Sequence, residues 1–179
     1  MASANVLSLW PRIAASLIDF LIVLPLVVLE FYLDAHTRWS ALYTLLPYEL
    51  LTLFLYVFMV GKWGASPGKM LMGMRIEMMD GTRATWKASM LRYVVYWVLG
   101  LMISAADIVA AFAISDDAYQ ALSETQQLDA LAQHAPWWGN AALIAISIWA
   151  FSCLVMLLAN KRRRTLYDVQ AGTIVVRTR

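Results

Sequence analysis

Four long apolar stretches divide the chain, at residues 13–33, 41–60, 91–114 and 139–160. Each is long enough to cross a bilayer as a helix. At 1.5 Å per residue the first spans about 31 Å, close to the hydrocarbon thickness. Polar positions interrupt the pattern sparingly. Asp19 and Glu30 fall in the first stretch, Pro47 and Glu49 in the second, Asp107 in the third, and no charge in the fourth. An aspartate at the centre of an inserted helix costs about 2.5–3.5 kcal/mol, and each large apolar neighbour returns about 0.3–0.6 kcal/mol. The first stretch therefore still inserts, at a penalty that asks for an explanation. It is too long for a cleaved signal and is read as a retained helix.

The connections predict smaller elements. Ser66-Pro67 reads as N-cap and first residue of a short helix, 67–72, closed by Gly73. Residues 74–79, the turn Asp80-Gly81 and residues 82–86 read as a β-hairpin. Thr85 can cap the third long helix. Residues 115–136 open with Ser115 or Asp116 as cap and carry Leu122, Leu128 and Leu131 as a partial apolar stripe. They predict an interfacial or capping helix ending near Pro136. In the tail, Thr165-x-x-Asp168 resembles a capping box, starting a short helix, 166–171, that Gly172 ends. Thr173–Arg177 is β-branched and strand-like, and would complete a three-stranded sheet with the hairpin.

Composition sets the class. The chain is 61% hydrophobic and 15% charged, where soluble globules run near half apolar and about a quarter charged. The expected fold class is an all-α polytopic membrane protein, a four-transmembrane-helix bundle with a small cytoplasmic hairpin and short amphipathic helices. It forms one domain: spans 13–33, 41–60, 91–114 and 139–160, cytoplasmic segments 61–90 and 161–179, and an outer segment 115–138. Of 14 Lys and Arg, all but Arg38 fall on the side of the termini. The outer segment 115–136 has none and carries Asp116, Asp117, Glu124 and Asp129. The positive-inside rule then puts both termini in the cytoplasm. Trp10, Trp63 and Trp86 mark the inner interface, and Trp39, Trp137 and Trp138 the outer one. The expected partners are the bilayer, with anionic lipid headgroups at the basic inner face. The basic run 161–164 serves topology there, and no nucleic acid is implied.

Catalytic chemistry finds little support. His36 and His134 are far apart, and no Cys/His cluster or His-Glu-x-x-His suggests a metal. Gly68-Lys69 is no phosphate loop, because Trp63 stands where that pattern needs Gly and Met70 where it needs Ser or Thr. Cys153 is a lone packing residue. No catalytic residue, metal or cofactor is expected, and the chain reads as not an enzyme.

The intramembrane acids carry the functional question. Asp19 is either a proton- or cation-coupled carboxylate or half of a structural ion pair. Arg12 shares its helix face but lies about 10.5 Å away along the axis. A direct bridge would be stretched, and a partner from another helix or a cytoplasmic segment fits better. Glu49 lies about 17 Å deep. With Asp107 it joins Asp19 as the candidate ion or proton site, and Glu30 is a further acid. Asp168 stabilises its helix start and can also reach Arg12 at the inner face.

The motifs resemble the RDD family of prokaryotic membrane proteins, named for one arginine and two aspartates. Pro-Arg-Ile-Ala-Ala-Ser-Leu-Ile-Asp at residues 11–19 resembles its first-helix signature, with Arg12 and Asp19. Tyr48-Glu49 and then Gly64-Ala-Ser-Pro-Gly-Lys-Met-Leu-Met-Gly-Met-Arg-Ile76 resemble its segment after the second helix, with Gly64, Ser66, Gly68, Lys69 and Gly73 as the motif positions. Arg164-Thr-Leu-Tyr-Asp-Val-Gln-Ala-Gly-Thr173 resembles its C-terminal segment, with Asp168. The family often has His before that last Asp, where this chain has Tyr167. The resemblance implies a multi-pass protein of the bacterial inner membrane. It also implies transport of a small cation, proton or small solute. Because four helices enclose little volume, such a path is expected to form in a homo-oligomer. The alternative is a scaffold or assembly protein whose Arg-Asp-Asp residues are a structural lock.

Overall fold

The computed structural model describes residues 9–160 and 163–178. The elements are α1 (Leu9–Asp34), α2 (Ser40–Trp63), α3 (Pro67–Leu71), β1 (Met74–Met78), α4 (Trp86–Phe112), α5 (Asp116–Gln120), α6 (Glu124–His134), α7 (Trp137–Ala159), α8 (Leu166–Gln170) and β2 (Thr173–Arg177). Among them α1, α2, α4 and α7 are long and apolar enough to cross a membrane. The polytopic helical class expected from the apolar stretches therefore holds. Large apolar side chains such as Ile144, Ile148, Phe151 and Leu158 stand exposed on α7, as lipid-facing positions do.

The helices run past the apolar stretches that announce them. α1 takes in Trp10 and Pro11, since proline is tolerated in a first turn. α4 starts at Trp86 because Thr85 caps it, its Oγ1 accepting from the Ala88 N–H at 3.1 Å. α2 contains a single π-helical turn, Phe54–Phe58, and ends where Gly64 turns left-handed at φ 79°.

The expected hairpin needs correction. Its turn forms: Asp80 Oδ1 accepts from the Thr82 N–H at 2.9 Å, and Met78 N donates to Thr82 O at 2.9 Å. Pairing then stops after one bridge, Glu77 with Arg83, because the chain turns away to cap α4. The strand that pairs along β1 is β2, antiparallel from Met74↔Arg177 to Met78↔Thr173. The sheet among the described residues has two strands instead of three.

The connection 115–136 also departs from expectation, forming two helices in place of one. Ser115 caps α5, and Ser123 starts α6 with its N–H bonded to the Gln126 side chain at 3.0 Å. α6 ends at His134, with Ala135 as its C-cap just before Pro136.

The chain divides into two compact units. The first comprises 1–22, 51–95 and 148–179, and holds the sheet. Its core gathers Ala15, Val60, Met74, Ile76, Ala84 and Val175. The second comprises 23–50 and 96–147. There Gly139 of α7 packs against Ala106 of α4 so closely that no Cβ would fit. Tyr119 of α5 is buried and donates its hydroxyl to Asp34 O at 2.7 Å. Lys161 and Arg162, half of the expected basic run after the last span, lie outside the described residues.

Candidate functional site: a buried arginine and aspartate cluster

Asp19 is 1% exposed, on the face of α1 that meets α3. Ser66 Oγ donates to its Oδ2 at 2.6 Å and the Gly68 N–H to its Oδ1 at 2.7 Å. Lys69 Nζ stands 3.7 Å from Oδ2 and 3.1 Å from Ser66 Oγ. The local sequence explains this geometry. Gly64 breaks α2, Ser66 is extended at φ −75° and ψ 163°, and Pro67 starts α3. The first N–H groups of a helix need acceptors. Ser66, the N-cap, makes no side-chain cap bond of its own, and Asp19 supplies the acceptor from another helix. Gly68 is required by proximity. A Cβ there would lie 2.9 Å from both the Ala15 carbonyl carbon and Asp19 Oδ1, and closer still to the Ala15 oxygen. Gly73 ends the motif left-handed at φ 63°.

Asp168, fully buried, holds the other half. Its Oδ2 accepts from Thr165 N at 3.0 Å and Thr165 Oγ1 at 2.8 Å, the reciprocal capping box of α8. Its Oδ1 accepts from Arg92 Nη1, which also bonds Thr173 Oγ1. Arg12 Nη1 lies 3.9 Å from Asp168 Oδ2 and donates to Arg163 O at 2.6 Å, while Nη2 donates to Val175 O at 3.2 Å. Arg164 adds bonds to Thr173 O and Asp168 O, both at 3.0 Å. The Arg92 guanidinium also lies over the Tyr167 ring, 4.9 Å from its centroid. Tyr167, where a family histidine often stands, is thus part of the packing around Arg92.

Electrostatics follow the geometry. Burial pushes the Asp168 carboxyl upward, but the Arg92 charge and the Thr165 hydrogen bonds outweigh it, so its pKa stays below the ordinary value. Burial lowers the Lys69 ammonium, and the Asp19 charge opposes that shift. The Tyr167 hydroxyl is raised, first by burial and then by Asp168.

Arg12 and Asp168 therefore converge, the contact expected between them. Asp19 makes no bridge to Arg12; its cation is Lys69, from the segment after the second span. Arg92 is a site residue that the sequence pattern does not single out, although it is the seventh residue of α4 and only 9% exposed. Its position inside an apolar run, with Asp168 needing a cation, was the available signal.

Glu49 and Asp107 belong to the second unit, while Asp19 and its partners belong to the first. Asp107 lines a cavity of about 240 Å³ with Glu30, Asp34, Arg38 and Asn140. Arg38 is engaged elsewhere, with Asp116 Oδ1 at 2.7 Å and Ala111 O at 2.8 Å. Among the described residues no group of three or more His, Cys, Asp or Glu is arranged to hold a metal.

Four apolar spans with a buried cluster of one arginine from the first helix and two aspartates from opposite ends of the chain define a class of multi-pass membrane protein. The model of the RDD family matches residues 6–172, and the chain belongs to that family. Comparison with curated proteins and with solved structures finds no match.

Proposed function

We propose that Arg12, Asp19 and Asp168 are a structural lock, and that the protein is a non-catalytic scaffold or assembly protein of the bacterial inner membrane. The observation that supports this is saturation. Each of the four carboxylate oxygens accepts a hydrogen bond from the chain itself. A carboxylate that carries a proton or ion through a cycle needs a free oxygen and access, and both aspartates are at most 1% exposed. The lock fastens the segment after α2 and the C-terminal tail to α1 and α4. The distribution of Lys and Arg supports a cytoplasmic location for this unit and for both termini.

The test uses purified protein in liposomes with a pH gradient, given Na⁺, K⁺ or Li⁺. The lock predicts that Asp19→Asn lowers the melting temperature and loosens the segment after α2, which Asp19 holds through Ser66 and Gly68, to protease. Cation-dependent proton flux that Asp19→Asn abolishes at unchanged melting temperature overturns it.

A second reading is transport of a small cation, proton or small solute, in a homo-oligomer. The cavity of the second unit favours it, since Glu30 and Asp107 both face that space. On this reading Asp107→Asn, rather than Asp19→Asn, abolishes flux while leaving stability intact. Flux indifferent to Asp107→Asn removes the support.

A further inference from the structure

The ends of α2 and α4 in the sheet-bearing unit carry an aromatic cluster that the lock does not use. The Phe58 ring meets Trp63 edge-on at 5.7 Å and Trp86 at 5.6 Å. Gly61 makes room for this, because a Cβ there would press within 2.8 Å of the Trp86 ring. Lys62 Nζ stands 5.3 Å from the Phe58 centroid and 5.0 Å from that of Trp63. Trp63 is 41% exposed and Trp86 52%. Among the described residues Lys62 has no ion pair, unlike Arg12, Arg38, Lys69, Arg75 and Arg92.

Both tryptophans end membrane spans, where the chain leaves hydrocarbon for the polar layer. Held over two ring faces, the Lys62 ammonium has its position restricted while its N–H donors stay available. A ligand that matches must offer an anion beside an apolar body. A phospholipid does so, with a phosphate joined to acyl chains that can lie on exposed ring faces. We infer that Phe58, Lys62, Trp63 and Trp86 form a headgroup site for an anionic phospholipid, Lys62 taking the phosphate and the rings taking the first carbons of the acyl chains. The site rests on the chain spanning a bilayer and is independent of the lock.

Native mass spectrometry of the purified full chain, titrated with phosphatidylglycerol or with phosphatidylcholine, tests it. The wild type is expected to retain phosphatidylglycerol in preference. Lys62→Gln is expected to lower that retention about fivefold, the size of one interfacial charge, with its melting temperature in phosphatidylcholine unchanged. Lys62→Arg should restore it. Arg83→Gln, which removes an exposed charge outside the aromatic cluster, should leave it near wild type. Equal losses in Lys62→Gln and Arg83→Gln mean diffuse attraction and overturn the site. Displacement of bound phosphatidylglycerol by millimolar inorganic phosphate overturns the lipid as occupant. A readout that needs no variant is the methyl signal of Lys62 in reductively ¹³C-methylated wild type. It should shift with phosphatidylglycerol alone, and an unmoved signal overturns the proposal.

Discussion

A buried carboxylate is held by hydrogen bonds, by a cation, or by both, and Asp168 and Asp19 combine these differently. Asp168 faces two guanidinium groups, Arg92 in contact and Arg12 at 3.9 Å. Neutralising it as Asp168→Asn strands both charges at 9% exposure, and removing one partner of a buried pair costs about 3–5 kcal/mol. Chemical unfolding in detergent is expected to show a loss of that order. The pH dependence has a definite sign. The folded pKa of Asp168 is below its ordinary 3.8. Its stabilisation is complete above that ordinary value and is lost as pH falls through the lower folded value. An acid melting curve should therefore lose less in Asp168→Asn than in the wild type; equal acid sensitivity contradicts the assignment. Lys69 offers a finer probe of Asp19. Burial lowers its pKa and Asp19 raises it, so Asp19→Asn is expected to lower the Lys69 pKa further. A ¹³C-lysine titration reads this directly, and an upward or absent shift contradicts the pairing.

At the scale of elements, the short helix α3 explains why its motif is written as it is. Gly64 turns the chain, Ser66 and Gly68 deliver donors to Asp19, and the missing Cβ of Gly68 lets α3 approach the Ala15 carbonyl. Gly68→Ala is expected to destabilise by about 1–3 kcal/mol, as overpacking does. The shift in thermal midpoint measures it, and a neutral substitution would show that α3 is not pressed against α1. This element was legible in the sequence because its signals are local: a cap, a proline and three glycines within ten residues. So were the start of α8 at Thr165 and the strand Thr173–Arg177. The pairing of that strand was not. Asp80-Gly81 marks a turn, but a turn does not say how far a ladder continues, and Thr85 is needed as the cap of α4. The choice of β2 as partner of β1 depends on a contact across nearly a hundred residues, which no local pattern encodes. Arg92 was hidden for a related reason, since its role appears only when the tail brings Asp168 to it.

At the scale of the whole molecule, the chain's beginning is bonded to its end. Arg12 donates to Arg163 O and Val175 O across 151 and 163 residues. These bonds, with those of Arg164 to Thr173 O and Asp168 O, tie carbonyls of the tail to side chains. β2 pairs with one strand, a two-stranded ribbon is marginal by itself, and the burial of Val175 and the Arg92 bond to Thr173 Oγ1 add to its hold. Part of its order is therefore expected to depend on Arg12, which stands in the first helix. Arg12→Gln removes the charge facing Asp168 and weakens the bonds to the tail. Hydrogen exchange is then expected to quicken over 163–177 and over its partner β1, while 96–147, which belongs to the other compact unit, keeps its protection. The contrast between the two regions carries the prediction. Uniform acceleration would mean that Arg12 supports the fold generally, and unchanged exchange in the tail would mean that the sheet stands without it. Selective loosening of the tail is what a lock closing the last strand onto the first helix requires.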